Sequence, residues 1–136
     1  MLALGFAIWG LTRSRSRRQE WAASQASART EAAWLARQLL PTLQTQSQDQ
    51  LRGAWAVAQP RVGALEDSLV GLAATAPDDL GRGTTTTLLE SVRAARGTVD
   101  RLAAPGAEDT PAARQDLLDA SRQIEQVLAA QAGDSA

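Results

Sequence analysis

Residues 51–76 read LRGAWAVAQPRVGALEDSLVGLAATA. Apolar residues recur in this stretch at alternating steps of four and three, which places them on one face of an α-helix in a coiled-coil-like seam. Pro60 lies off the seam, so it is expected to point towards solvent and either to kink the helix or to start a new one. The segment Pro77-Asp78-Asp79 is expected to close the helix. The seam positions are Leu51, Trp55, Ala58, Val62, Leu65, Leu69, Leu72 and Ala76.

A thinner apolar stripe precedes this segment and predicts one helix from Arg13 to about Leu40. Pro41 is expected to end or kink this helix, because proline in a helix interior lacks a hydrogen-bond donor and clashes with the preceding turn. Residues 44–50 contain no apolar side chain and predict a connection. The stripe consists of Trp21, Ala28, Ala32, Leu35 and Leu39.

Two further stripes follow the central segment. The first predicts a helix that begins after Gly83, with one of Thr84–Thr87 as its N-cap, and that ends at Pro105-Gly106. The second predicts a helix with Thr110 as N-cap and Pro111 at the first helical position, which is a favoured pairing. The stripes are Leu88, Val92, Ala95, Val99 and Leu102 in the first helix and Leu117, Ala120, Ile124 and Val127 in the second, widened by Leu118 and Leu128.

The composition also favours an all-α chain. Apolar residues make up 44% of the 136 residues and aromatic residues only 4%. Alanine, the best helix former, takes the place of the β-branched and aromatic residues that are typical of strands. We predict an up-down antiparallel helical bundle of three to four helices over residues 19–132, followed by a frayed tail at residues 133–136. The seams could pack within one chain or against another.

An uncharged apolar segment, residues 1–12, precedes an Arg-rich segment, residues 13–18. A signal peptide would carry its charges before the apolar residues rather than after them. A short apolar run could also be a core helix of the bundle. Because a membrane span needs about 20 apolar residues, we interpret the apolar segment as the C-terminal part of a transmembrane helix that starts further upstream.

This interpretation assigns lipid contacts to both segments. Arg residues that follow a span remain on the cytoplasmic side, so we expect a single-pass protein of the cell membrane with its bundle in the cytoplasm. The Arg side chains would also attract anionic lipid headgroups. The residues assigned to membrane and lipid contact are Phe6, Ile8, Trp9, Leu11, Arg13, Arg15, Arg17 and Arg18.

The residue types that are absent narrow the possible chemistry. The chain has no Cys, His, Tyr or Lys, so carboxylates are the only groups left to act as a base or as a charged metal ligand. The adjacent pairs Glu66-Asp67 and Asp78-Asp79 are interpreted as solvated, because neighbouring side chains on a helix diverge. We therefore expect no enzyme activity and no catalytic, cofactor-binding or metal-binding residue. No small-molecule substrate is evident.

Charge is distributed unevenly along the chain. The first 18 residues carry four Arg and no acid, whereas the rest of the chain carries ten Arg and 15 acidic residues. Nucleic-acid-binding domains present a basic face, so we expect no nucleic-acid partner. Arg93 and Arg96 are expected to pair with Glu90 and Asp100 on a solvated helix face.

Trp34 lies one position before the stripe residue Leu35 and is a possible contact for a protein partner. The sequence as a whole favours a non-enzymatic, membrane-tethered helical interaction or scaffold module that binds a partner or itself. One alternative is a soluble helical adaptor whose apolar segment packs in the bundle. A second alternative is a carboxylate-dependent metal-binding or hydrolytic protein.

The layout resembles small membrane-anchored helical proteins of unknown function from high-GC actinobacteria. The resemblance rests on the apolar and Arg-rich segments and on three short stretches. These are WLARQLLP at residues 34–41, ALED at residues 64–67 and VRAAR at residues 92–96. The resemblance implies a membrane anchor and a helical body, and no activity or site. Members of that group look as if they have a full-length anchor, which favours a start further upstream for this chain.

Overall fold

The computed structural model describes the backbone of residues 2–134 and the side chains of residues 16–132. Within these ranges all regular structure is helical and no strand is present, which confirms the predicted all-α class. A π-helical turn (Leu35–Leu39) joins the first two helices into one continuous helical rod. Together with the other three helices, the described residues therefore form four rods. The helices are α1 (Leu2–Trp34), α2 (Leu40–Thr45), α3 (Gln48–Ala74), α4 (Asp79–Ala103) and α5 (Pro111–Asp134).

The predicted apolar stripes meet in one core. Leu65 and Leu69 are 4% and 0% exposed in the single chain, so the seam of α3 packs within the chain. Burying a leucine contributes roughly 1.5–3 kcal/mol. The buried stripe residues are Ala28, Ala32, Leu35, Leu39, Leu51, Trp55, Ala58, Val62, Leu65, Leu69, Leu72, Leu88, Val92, Ala95, Val99, Leu102, Leu117, Ala120 and Ile124. The partly buried ones are Trp21, Ala76, Leu118, Val127 and Leu128.

Of the two outcomes expected at Pro41, a helix end or a kink, the helix end is wrong, because the rod continues to Thr45. The backbone N–H of Leu40 donates to the carbonyl of Leu35, five residues back instead of four. This wider turn lies directly before the proline, where an ordinary α-helical turn would press a carbonyl against the proline ring. Leu40 and Leu43 are both fully buried. Core packing therefore continues past the proline, and the helix continues with it.

The connection between α2 and α3 is shorter than predicted, because only two residues of the range 44–50 are not helical. Ser47 is the N-cap of α3 and forms a capping box with Gln50, in which each side chain accepts the other residue's backbone N–H at 3.2 Å. The spacing Ser-x-x-Gln is a signal for this arrangement. The predicted connection is therefore wrong for most of its length.

Pro60 lies inside α3, which continues on both sides of it. A new helix does not start there, and the proline is exposed to solvent as predicted. The flanking seam residues Ala58 and Val62 are buried. Their packing holds the helix together at the point where proline removes a backbone hydrogen bond.

The predicted start of α4 at Thr84–Thr87 is wrong. The helix begins at Asp79, and the Asp78 side chain is the N-cap that accepts the backbone N–H of Gly81 at 2.7 Å. Aspartate is a stronger N-cap than threonine. Thr85 is buried in the bundle instead of capping the helix.

The start of α5 is confirmed. The backbone N–H of Ala113 donates to Oγ1 of Thr110 at 3.1 Å, and Pro111 is the first helical residue. The preceding loop contains Gly106 with φ of 76°, a left-handed conformation that favours glycine. Residues 135 and 136 of the predicted frayed tail lie outside the described residues, and α5 is described as far as Asp134.

Candidate interaction surface

Trp21 is the first described side chain of α1 that contacts the bundle. The side chains of residues 16–20 are exposed, and those of residues 22–24 are exposed as well. The indole N–H of Trp21 donates to the backbone carbonyl of Leu72 at 2.9 Å, near the C-terminal end of α3, where carbonyls lack helical partners. The ring also approaches α4 so closely that a Cβ added at Gly81 would lie 3.0 Å from it. One residue thus fixes α1 to the ends of two other helices.

A polar layer crosses the bundle one turn further along α1. Gln131 is 3% exposed, accepts from Arg29 at 3.1 Å and donates to the backbone carbonyl of Thr84 at 2.8 Å. The side-chain amide of Gln25 lies 3.4 Å from the hydroxyls of both Thr84 and Thr85. Buried polar groups are stable only when they are paired, so this layer favours one alignment of α1, α4 and α5.

The helices α1 and α3 leave a groove between them on the outside of the bundle. We call this surface the α1/α3 face. Its first cavity has a volume of about 470 Å³ and is floored by the buried residues Leu65 and Leu72. Small side chains form its walls, so neither helix fills the space between them. The wall residues are Ser24, Ser27, Ala64, Ser68 and Gly71.

An ion pair crosses the middle of the α1/α3 face. The guanidinium of Arg61 donates two hydrogen bonds to the carboxylate of Glu31, at 2.7 and 2.8 Å. The hydrogen bond from Arg61 lowers the pKa of Glu31 below its ordinary value, and burial opposes this effect. Both side chains remain about a third to a half exposed, so solvent screens the pair.

Trp34 lies at the edge of the core, where Arg61 covers one side of its ring. The Cζ atom of Arg61 is 3.7 Å from the ring centroid, which is within the range of a cation–π contact. A second cavity of about 510 Å³ adjoins the ring and shares Glu31 and Arg61 with the first. Arg37 borders this cavity and pairs with Glu125 of α5 at 2.6 and 3.1 Å. One face of Trp34, the predicted partner contact, is therefore covered by the chain's own Arg61.

The interpretation of the Glu66-Asp67 pair as solvated is wrong for Glu66, which is buried. The residue is 6% exposed, and its side chain pairs through Oε2 with Arg96 of α4 at 2.6 Å, while Oε1 has no partner among the described residues. Arg96 also approaches Asp100 at 3.8 Å, and Asp100 accepts the indole N–H of Trp55 at 2.8 Å. The carboxylate lies between two helices, which spacing along a single helix does not reveal.

The expected pairing on the outer face of α4 is only partly correct. The pair between Arg96 and Asp100 is present, but Arg96 makes its shorter contact with Glu66 on α3. Among the described side chains, Arg93 and Glu90 are exposed and form no ion pair. The face of α4 therefore combines a solvated part with a part that packs on α3.

The residues assigned to lipid contact fall into two groups. Among the described side chains, Arg17 and Arg18 are exposed and form no ion pair. The side chains of Phe6, Ile8, Trp9, Leu11, Arg13 and Arg15 lie outside the described residues. Where the backbone is described, no helix combines the length and the apolar character that a membrane span requires. No cluster of three or more acidic residues that could hold a metal ion occurs among the described side chains.

Neither Glu31 nor Arg61 was singled out from the sequence. They are 30 positions apart, and nothing in either local sequence indicates that α1 and α3 bring them together. Comparison with protein families, curated proteins and solved structures found no match. A function for the chain is therefore inferred from its geometry.

Proposed function

We propose that this chain is a non-enzymatic, membrane-tethered helical module that forms protein contacts at the cytoplasmic side of the cell membrane. In this proposal the apolar segment is part of a single-pass anchor and the Arg-rich segment contacts anionic headgroups. We also propose that the chain belongs with the membrane-anchored helical proteins of high-GC actinobacteria that its layout resembles.

The observation that carries the proposal is the continuity of α1. The helix begins at Leu2 and runs without a break to residues that are buried in the core. An anchor in the apolar segment would therefore be joined to the bundle by helix, with Trp21 as the first described contact. Arg17 and Arg18 are exposed and available to lipid, and each Arg near an anionic surface contributes about 1 kcal/mol.

We propose further that the four rods form an up-down antiparallel bundle. The contacts between α1 and α3 support this arrangement, because Trp21 meets Leu72 while Glu31, later in α1, meets Arg61, earlier in α3. The short connections between the helices also favour antiparallel neighbours. Under this arrangement the apolar segment leaves the bundle beside the connection between α3 and α4.

Fractionation of the native gene product, with protease added to spheroplasts, tests the location. We expect the protein in the membrane fraction with its bundle protected from external protease. Recovery in the soluble fraction would contradict the tether and would favour the soluble adaptor. Cleavage of the bundle by external protease would contradict the orientation.

Binding to vesicles that contain phosphatidylglycerol tests the headgroup contact. We expect the double change Arg17→Gln and Arg18→Gln to weaken binding by about tenfold or more, given about 1 kcal/mol for each Arg. The control is the double change Arg93→Gln and Arg101→Gln, which removes the same charge from exposed positions of α4 that lie further from the connection between α3 and α4. Equal loss with both pairs would mean that only net charge matters.

A further inference from the structure

We propose that the α1/α3 face binds the same face of a second copy of this chain, so that two tethered chains form a two-fold symmetric dimer. The inference rests on the membrane tether proposed above, because the tether holds both bundles on the same side of one membrane. Such a dimer would make the module its own partner and would assign Glu31 and Arg61 as its central contacts.

The shape of the α1/α3 face allows another protein surface to bind there. The two cavities adjoin at Glu31 and Arg61; the first lies between α1 and α3, and the second lies along α1 and the π-helical turn that follows it. The walls of the first cavity are serine, alanine and glycine, which allow another helix to approach closely. The floor residues Leu65 and Leu72 are already buried in the single chain, so the small and polar side chains of the walls would make most of the contact.

The charges of the α1/α3 face are self-complementary. Glu31 on α1 and Arg61 on α3 lie opposite each other at the same level of the bundle. A two-fold axis parallel to the helices brings α1 of each copy against α3 of the other, so each Glu31 faces the partner's Arg61. An axis across the helices would instead set Glu31 against the partner's Glu31. The favourable axis is also the one that directs both N-terminal helices towards the same membrane.

The remaining charge of the molecule directs association to this face. After residue 18 the chain carries 15 acidic residues and ten Arg, so most pairs of bundle surfaces would repel each other. The first cavity is lined by one acid and one Arg, and its other side chains are uncharged. A shared membrane also raises the effective concentration of the two copies, which strengthens a contact that would be weak in solution.

Cysteine cross-linking of the full chain tests the arrangement, since the sequence contains no Cys of its own. Chains with Ser24→Cys are mixed with size-tagged chains with Ser68→Cys, on vesicles of phosphatidylcholine and phosphatidylglycerol and in solution. The proposed axis sets residue 24 of one copy opposite residue 68 of the other. We expect a disulfide-linked product of mixed size, and much less of it when Ala129→Cys, an exposed position on α5, replaces Ser68→Cys.

A charge exchange separates docking from folding. The double change Glu31→Arg and Arg61→Glu keeps the ion pair within each chain. Two exchanged chains are also complementary to each other. A parent chain and an exchanged chain, however, oppose like charges at both contacts. We expect the parent–parent and exchanged–exchanged mixtures to cross-link alike, and the parent–exchanged mixture to give about tenfold less product, equivalent to about 1.4 kcal/mol.

A second variant keeps the test valid if the exchanged chain folds poorly. Val57→Asp places a charge on α3 one turn before Arg61, at a position that is 83% exposed. Leu80→Asp makes the same change at a position that is 68% exposed and outside the α1/α3 face. We expect the first change to reduce cross-linking several-fold and the second to leave it unchanged.

Vesicle flotation of the same samples distinguishes the two proposals. Chains that float but do not cross-link on vesicles or in solution would overturn the dimer and leave the tether intact. Chains that cross-link in solution without floating would support the dimer contact and contradict the contact of the Arg-rich segment with anionic headgroups. Equal yields in all three charge mixtures would overturn the assigned face.

Discussion

At Gly81 the ring of Trp21 comes so close to α4 that an added Cβ would lie 3.0 Å from the Cη2 atom. Gly83, two residues later in the same helix, has nothing within 4 Å of an added Cβ. Each glycine weakens a helix by about 0.5–1 kcal/mol relative to alanine. The first one permits the contact that holds α1 against α4, whereas the second makes no comparable contact.

The two glycines give a matched prediction. We expect Gly83→Ala to raise the free energy of unfolding by about 0.5–1 kcal/mol. Gly81→Ala gains the same helix propensity, but the added Cβ would crowd both the Trp21 ring and the N-cap carboxylate of Asp78, each at 3.0 Å, so we expect no gain. Urea unfolding followed by circular dichroism measures both. Equal stabilisation by the two changes would mean that Trp21 is not held at α4.

At the scale of the element, the start of α4 depends on one side chain. Asp78 accepts the backbone N–H of Gly81, and we expect Asp78→Ala to cost about 0.5–2 kcal/mol of stability. Thr87 is exposed and lies inside the helix, so Thr87→Ala should change stability by less than about 0.5 kcal/mol. Thermal unfolding compares the two variants. A larger loss of stability from Thr87→Ala than from Asp78→Ala would indicate that the threonine run, and not Asp78, caps the helix.

Substitutions in the seam of α3 are expected to cause the largest losses of stability. Leu65 and Leu69 are buried in the core, and truncation of either to alanine should cost about 2–5 kcal/mol. Val70 lies beside them on the same helix and is 45% exposed, so Val70→Ala should cost far less. Denaturant midpoints of the three variants provide the measurement. An unchanged midpoint for both leucine variants would contradict packing of the seam within the chain.

At the scale of the whole molecule, two ion-paired arginines connect separate parts of the chain. Arg61 joins α3 to Glu31 of α1, and Arg114 of α5 pairs with Asp109 at 2.7 Å while donating to the backbone carbonyl of Gln46 at 2.6 Å. In both pairs the hydrogen bond from Arg lowers the pKa of the carboxyl, from 4.5 for Glu31 and from 3.8 for Asp109.

These lowered pKa values predict a loss of stability in acid. A carboxyl with a lowered pKa in the folded state contributes stability that is fully present above its unfolded pKa and is lost as pH falls through the folded pKa. We therefore expect the melting temperature to be insensitive to these groups near neutral pH and to fall below about pH 4.5, where Glu31 begins to accept a proton in the unfolded state but not yet in the folded state. In the Glu31→Gln variant the melting temperature should fall less steeply just below about pH 4.5, because that variant lacks the titrating carboxyl.

The helices and their inward faces could be predicted because apolar spacing is a property of each segment alone. The seam of α3 and the stripe of α4 repeat at the helical period and are buried accordingly. Thr110 and Pro111 are also correctly placed, since a cap followed by proline is a local signal. The Ser47–Gln50 capping box is equally local, but it lies in a polar stretch that was interpreted as a connection.

Contacts between helices depended on the tertiary structure. Glu66 has the local sequence of a solvated acid, but α4 covers it and supplies Arg96 at 2.6 Å. Pro41 has the local sequence of a helix end, yet buried leucines on both sides of it, Leu40 and Leu43, hold the helix together through a widened turn. Glu31 and Arg61 meet only because α1 and α3 pack side by side. A periodic pattern specifies which face of a helix is buried, whereas the neighbour that covers it depends on residues far away in the chain.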